Sequence, residues 1–381
     1  MSIKQKFMSR VICFSIACFI LLTLGCKKDK EPINTKEELE SYLLEEMETQ
    51  NIPALATLVF KEDKVLFESY EGHANIDDNL LLSGSHPFLL ASMSKTITAA
   101  ALLRLFDQGE FVLDDSINNY LDFDVNVPGS ETPITFRMLL THTSGIADGS
   151  ALDGQYYYGK DSPVELDYFL ENYLVPGGEY YDKKENFHDF EPGEDHEYSN
   201  IGSALIAVLV EQISGRSFND FCKEEIFAPL GMTNTFWRLG EIDGVIVQPY
   251  NRVLTKYEEI EHYTFTDYPN GGLRSTAYDM HRFFQAYCND GVSNGYVLLK
   301  PKTVKTVLTP QIPDLDATVG LHMFLMDEDL ELWGHERGEQ GVATIMAFNK
   351  STNIGAIILA NQGDANLDEM LKEAYEFGEL Q

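Results

Sequence analysis

The stretch that decides the fold is residues 87–109, which read PFLLASMSKTITAAALLRLFDQG. Its second half is almost wholly apolar, which predicts a helix over 93–107 that is buried on most sides, and Gly109 supplies a stop. Ser92 and Lys95 lie about one helical turn apart, so both side chains face the same way. An S-x-x-K on a buried helix places a hydroxyl beside an amine, whereas an ordinary lysine is expected on a solvated face.

The position of Ser92 at the start of that helix favours nucleophilic chemistry. The first turn of a helix has backbone N–H groups without intrahelical partners, and these groups together with the helix dipole favour a developing oxyanion. An uncharged amine at Lys95 would take the proton of the Ser92 hydroxyl. We therefore predict that Ser92 is a nucleophile assisted by Lys95.

A second element, Tyr198-Ser199-Asn200, precedes an apolar run that predicts a helix over 201–213. A tyrosine just before a helix can direct its hydroxyl into a cleft and act there as a general base. Asn200 can donate to a substrate carbonyl and order Lys95. The alternative is that Ser199 or Asn200 is simply an N-cap.

The third element is WGHERG, residues 333–338, just before a predicted strand. A strand that lines a cleft could offer the backbone N–H of Gly338 as a second oxyanion donor. His335 could bind or protonate substrate. The alternative is a structural histidine at a strand edge.

Apolar runs at both ends of the chain predict one sheet, with a helical region inserted between them. Strands are expected at both ends and helices elsewhere, and a capping box at Thr35 and Glu38 opens the first helix. This pattern predicts an α+β fold. The predicted strands are 54–60, 64–70, 344–348 and 354–360, and the further helices are 201–213, 278–287 and 367–377.

The charge balance of the chain bears on its binding partners. The chain has 61 acidic and 28 basic residues, a net charge of -33, so we expect no nucleic-acid partner.

Residues 1–26 combine a basic start with a short apolar run, which is typical of a secretory signal. Cys26 after a small residue resembles a bacterial lipoprotein signal, with 27–34 as a tether. The alternatives are an ordinary cleaved signal and an uncleaved anchor.

These features predict an exported lipoprotein, periplasmic or on the outer membrane or cell surface, that touches the membrane only through its N-terminal lipid. Cys222 and Cys288 lie in helical patterns, so two buried thiols are the default and one disulfide is the alternative. The sequence has no CxxC and no HExxH, and we expect no metal and no cofactor.

Together these motifs resemble the serine β-lactamase-like family, which comprises class C β-lactamases, D-alanyl-D-alanine carboxypeptidases, related esterases and other penicillin-binding-protein-like enzymes. The likeness covers nearly all of residues 35–381 and extends beyond the three motifs. Further stretches typical of the family are Leu139-Leu140-Thr141-His142-Thr143-Ser144-Gly145, Ile226-Phe227-Ala228-Pro229-Leu230-Gly231-Met232 and Asn270-Gly271-Gly272-Leu273-Arg274-Ser275-Thr276.

The resemblance implies an antiparallel sheet flanked by helices, beside a mostly helical lobe, with the active site in the groove between them. The sheet lobe would take about 35–85 and 310–381, and the helical lobe about 90–300. It also implies a serine hydrolase that forms an acyl-enzyme on Ser92 with a small-molecule or peptide acyl substrate. Lys95 and Tyr198 would share the proton transfers, the backbone N–H groups of Ser92 and Gly338 would hold the oxyanion, and His142 would be structural.

One departure from the family pattern is Arg337, where family members usually carry glycine. The strand could bulge there, Arg337 could recognise a substrate carboxylate, or the site could be impaired. The acidic, tyrosine-rich segment 154–196 is expected to cap the groove and to disfavour anionic substrates. The competing interpretation of the whole chain is a catalytically silent lipoprotein that binds cell-wall peptide or a protein partner.

Overall fold

The computed structural model describes residues 32–254 and 256–381. The predicted signal 1–26, its lipidation candidate Cys26 and most of the tether 27–34 lie outside these residues. Within the described residues, no helix combines the length and the apolar character that a membrane crossing requires. Residues Ile33–Gln381 fold as one compact unit.

Ten α-helices occur in the described part of the chain. They are α1 (Lys36–Gln50), α2 (Ser94–Gln108), α3 (Phe136–Leu140), α4 (Leu166–Leu174), α5 (Asn200–Ser214), α6 (Phe218–Cys222), α7 (Ala228–Leu230), α8 (Ala277–Cys288), α9 (Pro301–Val307) and α10 (Asp368–Glu379).

Fifteen strands accompany them within the same described residues. They are β1 (Ala54–Lys61), β2 (Lys64–Asn75), β3 (Leu80–Leu81), β4 (Phe88–Leu89), β5 (Tyr156–Tyr158), β6 (Tyr250–Val253), β7 (Lys256–Glu259), β8 (Tyr263–Phe265), β9 (Arg274–Ser275), β10 (Val292–Ser293), β11 (Tyr296–Val297), β12 (Phe324–Asp327), β13 (Leu332–Glu339), β14 (Val342–Asn349) and β15 (Ile354–Ala360).

The main sheet has seven strands in the order β12-β13-β14-β15-β1-β2-β3. All neighbouring pairs are antiparallel, and β1 lies between β2 and β15, so the two ends of the chain meet in the middle of the sheet. The helical region from α2 to α8 is inserted between these two groups of strands. The α+β class with an antiparallel sheet, predicted from the apolar runs at both ends, is therefore confirmed.

The sheet is covered on both faces, which explains why its central strands are nearly continuous apolar runs. On β1, Leu55 and Val59 pack into one core with the buried faces of α1 and α10. The alternate residues Ala56, Leu58 and Phe60 pack into the other core, with α2, α5 and α8. This period of two follows from the pleat of the strand, and it fixes which face carries the helical region.

Local signals in the sequence set the ends of the helices that matter for the site. α1 begins with the capping box predicted at Thr35 and Glu38. α2 ends at Gly109 and α5 ends at Gly215, both in the left-handed backbone conformation (φ of 89° and 69°) that glycine adopts without a steric penalty. The apolar composition of α2 and α5 fits their burial, because they pack against each other in the core.

The structure differs from the prediction at the start of α2 and agrees with it at the two cysteines. The helix predicted from 93 begins at Ser94, and Ser92 lies just before it in a short 3-10 turn, Ala91–Met93. Ala91, the first residue of this turn, has a left-handed φ of 48°. Cys222 and Cys288 are both buried and free, in agreement with two thiols rather than a disulfide.

Removal of a buried side chain from α2 should destabilise the protein strongly. Leu102 is fully buried, so Leu102→Ala should lower the free energy of unfolding by about 2–5 kcal/mol through lost burial and a residual cavity. Leu44→Ala is the matched control, because Leu44 is 44% exposed on α1 and should change the stability by less than about 0.5 kcal/mol. Urea denaturation measures both, and equal effects would contradict the described packing.

Candidate active site

The turn that carries Ser92 is fixed from two sides. The backbone N–H of Leu90 donates to the carbonyl of Leu273, next to β9, at 2.8 Å. The hydroxyl of Thr344 on β14 donates to the carbonyl of Leu90 at 2.7 Å. Ser92 itself is partly exposed, so its hydroxyl is held on a rigid support and remains accessible to a substrate.

Lys95 is the centre of the site. Its side chain is fully buried on the first turn of α2. The ammonium nitrogen Nζ donates to Ser92 Oγ (3.2 Å), to Asn200 Oδ1 (2.8 Å) and to the main-chain carbonyl of Asn270 (2.7 Å). An ammonium has three donors, and each of them therefore has an uncharged oxygen acceptor.

Asn270, in the 3-10 turn Tyr268–Asn270, supplies the third acceptor. Its side-chain amide donates to the carboxylate of Asp267 at 2.5 Å and to the carbonyl of the same residue at 2.7 Å. These two bonds hold the turn so that the Asn270 carbonyl faces Lys95. Burial raises the pKa of Asp267 to about 7, and the nearby Asp148 carboxylate acts in the same direction.

Tyr198 lies directly against this lysine. The ammonium of Lys95 is 4.8 Å from the centroid of the Tyr198 ring, within the range of an attractive cation–π contact. On the other side, the His142 ring stacks on Tyr198 with centroids 4.3 Å apart. The structure thus brings together Ser92, Lys95, Tyr198 and Asn200, the four residues selected from the first two motifs.

His142 also holds the segment that carries Tyr198. Its Nδ1 accepts the backbone N–H of Ser199 at 3.1 Å, so in the neutral ring the proton is on Nε2. Burial keeps the pKa of His142 well below its usual value, and the neighbouring His322 and Lys95 act in the same direction. A neutral, fully buried imidazole that accepts from the backbone fits the structural role that the family resemblance implies.

Asp148 caps the helix that begins at Asn200. Its carboxylate accepts the backbone N–H groups of Asn200 (2.9 Å) and Ile201 (3.0 Å), as well as the hydroxyl of Ser199 (3.4 Å). The Ser199 hydroxyl accepts the N–H of Gly202, so Ser199 is indeed the N-cap of α5. The tripeptide Tyr198-Ser199-Asn200 therefore both caps α5 and contributes residues to the site.

The third motif lies on β13, against the turn that carries Ser92. β13 pairs with β14 from Trp333 to Glu339, whereas β12 pairs with it only as far as Gly334. His335 is buried, its Nδ1 lies 3.1 Å from the carbonyl of Glu336, and Gly338 is exposed. Among the described strands, only β14 pairs with the part of β13 that contains Gly338.

Arg337 occupies a regular strand position. It pairs with Thr344, and the register from Trp333 to Glu339 is unbroken, so the bulge offered as one explanation for Arg337 is wrong. The side chain of Arg337 lies outside what the structure describes.

A cavity of about 380 Å³ opens beside Tyr198. Apolar walls, two imidazoles and two carboxylates surround it. The residues that line it are His196, Tyr198, Phe324, Met326, His335, Glu336 and Asp368. In the described part of the chain, no group of three or more His, Cys, Asp or Glu side chains is arranged to hold a metal ion.

The tyrosine-rich segment meets the far end of β13. Its strand β5 pairs with β8, and the Tyr156 hydroxyl lies 3.4 Å from both carboxylate oxygens of Glu339. The Tyr158 hydroxyl contacts the side chain of Gln340 at 3.3 Å. These contacts bring the segment expected to form a cap onto the end of the strand that carries the third motif.

Sequence reasoning missed the residues that position the site. Asp148, Asp267 and His322 were not selected, and Asn270 was noted only as part of a family-like stretch. His322 is buried with its ring 4.6 Å from that of His142. The sequence Pro-Asn-Gly-Gly is a turn signal that could have marked Asn270, but no local signal marks an aspartate that caps a helix 52 residues further along the chain.

Loss of the Asp148 cap should reduce activity more than stability. Asp148→Ala removes the acceptor of the Ser199 hydroxyl and of the backbone N–H groups of Asn200 and Ile201, and we expect the free energy of unfolding to fall by about 0.5–2 kcal/mol. We also expect kcat/KM with an ester to fall about tenfold or more, because misplacement of reacting groups is costly. Ser217→Ala is the control: it removes the N-cap of the remote helix α6, so an equal fall in its kcat/KM would contradict the positioning role.

The chain is similar to several known proteins. Protein flp of Staphylococcus aureus (strain NCTC 8325 / PS 47) is 22% identical over 344 residues, which is 86% of this chain and 63% of flp. The chain therefore spans less than two thirds of the length of the curated relatives that it matches first.

Solved structures share the fold. FmtA from Staphylococcus aureus superimposes with a TM-score of 0.71 at 17% identity, covering 92% of this chain and 91% of FmtA. A class C β-lactamase gives a TM-score of 0.70 at 18% identity, covering 90% of this chain and 95% of that enzyme. The family model described as Beta-lactamase matches residues 39–378, and this chain accordingly belongs to the Beta-lactamase family.

Proposed function

We propose that the protein is a serine hydrolase that cleaves an ester or amide through an acyl-enzyme on Ser92. The observation that carries the proposal is the position of the Lys95 ammonium, which bonds to Ser92 Oγ and Asn200 Oδ1 and lies under the ring of Tyr198. An amine that contacts both a serine hydroxyl and the ring of a tyrosine forms an arrangement suited to acyl transfer to that serine. Membership of the family supports hydrolase chemistry in general, and the substrate is part of the proposal.

In the first half of the reaction, Ser92 Oγ attacks the substrate carbonyl and loses its proton to Lys95 or Tyr198. The bond from the carbonyl carbon to the leaving group then breaks, and the same proton passes to the leaving oxygen or nitrogen. In the second half, water attacks the acyl-enzyme and gives one proton to Lys95 or Tyr198. The ester bond to Ser92 then breaks, this proton passes to Ser92 Oγ, and the carboxylic acid leaves. No oxidant, metal or cofactor is required to balance either half.

Two backbone N–H groups would stabilise the oxyanion, those of Ser92 and Gly338. The first lies in the turn that precedes α2, close to the positive end of the helix dipole. The second lies on β13, which packs against that turn. Donors on two rigid elements need no rearrangement when charge develops on the carbonyl oxygen.

The hydrogen bonds of Lys95 bear on the choice of base. As an ammonium that donates to three oxygen atoms it has no lone pair to receive the proton of Ser92. In that state the base would be Tyr198, whose ring lies against the ammonium. If Lys95 is uncharged, the amine itself takes the proton, so both routes remain part of the proposal.

The natural substrate would be a small-molecule or peptide acyl compound, with esters, D-amino-acid peptides and β-lactams as the classes to test. The predicted lipid anchor at Cys26 would place the enzyme at an exported membrane surface. Arg337 favours a second candidate, a catalytically silent binder of cell-wall peptide or of a protein partner, because its side chain replaces the usual glycine.

A covalent probe separates these two functions. We expect a fluorophosphonate to add one probe mass to the intact protein and the Ser92→Ala variant to remain unmodified. Ser85→Ala is the matched control, because Ser85 is exposed outside the site and its loss should leave labelling unchanged. Absence of any adduct with fluorophosphonate and penicillin probes would support the silent binder.

The role of Arg337 is tested by Arg337→Gly with an ester substrate. A gain of about tenfold or more in kcat would mean that the arginine impairs the site. A raised KM confined to anionic substrates would mean that the arginine recognises a carboxylate. Unchanged kinetics with neutral and anionic esters would contradict both roles.

A further inference from the structure

We infer that a cavity on α8, separate from the one beside Tyr198, binds a neutral sugar ring. The α8 cavity has a volume of about 480 Å³, which is within the range of small-ligand sites. Among the described residues, none lines both cavities. Binding there would not need Ser92, Lys95 or Tyr198, so it is independent of the proposed hydrolase function.

The floor of the α8 cavity is a polar stripe along one side of the helix. Its members recur every three or four residues, which aligns side chains on one side of a helix. The opposite side of α8, with Met280, Phe283 and Phe284, packs into the core. The stripe consists of Tyr278, His281, Arg282, Gln285 and Asn289, the last just after the helix ends.

Two hairpin turns form walls of the α8 cavity. Asp63 lies in the turn between β1 and β2, and Asn294 and Gly295 lie in the turn between β10 and β11. Both residues of the second turn have the left-handed backbone (φ of 50° and 74°) that a two-residue hairpin loop requires. The walls are therefore short turns of defined backbone, which reduces the ordering cost of binding.

His281 joins the floor to the first wall. It is 3% exposed, and its Nε2 lies 3.2 Å from the main-chain carbonyl of Glu62 in the β1–β2 turn. Because a carbonyl only accepts, Nε2 carries the proton and donates it to this bond. Burial lowers the pKa of His281, so the ring is neutral at neutral pH and adds no charge to the lining.

The charges of the lining are balanced. Arg282 and Asp63 contribute one charge of each sign. The guanidinium is already engaged, because it donates to the main-chain carbonyl of Gly231 and lies 5.0 Å from the centroid of the Tyr278 ring. A cationic ligand would meet the guanidinium, and an anionic ligand would meet the carboxylate of Asp63. The α8 cavity therefore favours a ligand without net charge.

Two amide side chains of the lining are fixed at one end. Gln285 Oε1 accepts the hydroxyl of Ser293 at 2.9 Å, and Asn289 Nδ2 donates to the carbonyl of Val292 at 3.1 Å. The amide nitrogen of Gln285 and the amide oxygen of Asn289 remain for a ligand. One of these groups donates and the other accepts, so they suit hydroxyl groups, which can do both.

Tyr278 adds a flat aromatic surface to these polar groups. Its side chain is 41% exposed, and an aromatic ring offers a broad apolar face at a low conformational cost. A sugar ring has uncharged hydroxyls at its rim and C–H groups on its faces, so it matches both kinds of surface. An apolar chain would leave the amides of Gln285 and Asn289 without hydrogen bonds.

Calorimetric titration with triacetylchitotriose and with maltotriose tests the inference. We expect at least one of these neutral saccharides to bind wild-type protein with a Kd of about 1 mM or less. Tyr278→Ala should raise this Kd about fivefold or more through lost packing, and Gln285→Leu about threefold or more through a lost hydrogen bond. Tyr168→Ala is the matched control, because Tyr168 is 50% exposed on α4 and does not line the cavity. Ser92→Ala should bind as well as the wild type.

Glucuronate and glucosamine carry opposite charges on a similar ring, and tighter binding of either one than of glucose would overturn the assignment to a neutral ligand. No binding of either trisaccharide, or an unchanged Kd in both Tyr278→Ala and Gln285→Leu, would overturn the inference and leave the proposed function standing. Loss of binding in Ser92→Ala would also overturn it, because the saccharide would then occupy the catalytic groove. Absence of a covalent adduct on Ser92 would count against the hydrolase without affecting the α8 cavity.

Discussion

The rest of the structure depends on the burial of one ammonium group, that of Lys95. Moving a charge out of water is costly unless the protein supplies hydrogen-bond partners. Here the partners come from three separate segments: the turn of Ser92, the start of α5 at Asn200, and the turn that ends at Asn270. The lysine is satisfied only when these segments are docked together, so the energy that favours the fold also assembles the site.

This constraint explains why so much of the molecule supports one turn. β14 holds the turn through Thr344, β9 adjoins the residue that holds Leu90, and β13 packs against the turn with the third motif. Burial of α2 between the sheet and α5 keeps the lysine from water. Acidic residues also support the site: Asp148 caps α5, and Asp267 holds the turn of Asn270.

The sequence predicted the features that depend on residues close together in the chain. The class of the fold followed from apolar runs, and the pair Ser92 and Lys95 followed from a spacing of one helical turn. The partners of Lys95 could not be derived in this way, because Asn200 and Asn270 lie 105 and 175 residues away along the chain. Their contacts depend on how the segments pack, which no short pattern records. The same reason explains why the cap of α5 by Asp148 was missed.

A crystal structure of the protein after reaction with a phosphonate ester tests the central claim most directly. The account predicts phosphorus bonded to Ser92 Oγ, a phosphoryl oxygen about 2.7–3.1 Å from the N–H groups of Ser92 and Gly338, and Lys95 still bonded to Asn200 and Asn270. An unmodified Ser92, or a Lys95 side chain turned away from these two partners in the adduct, would contradict it.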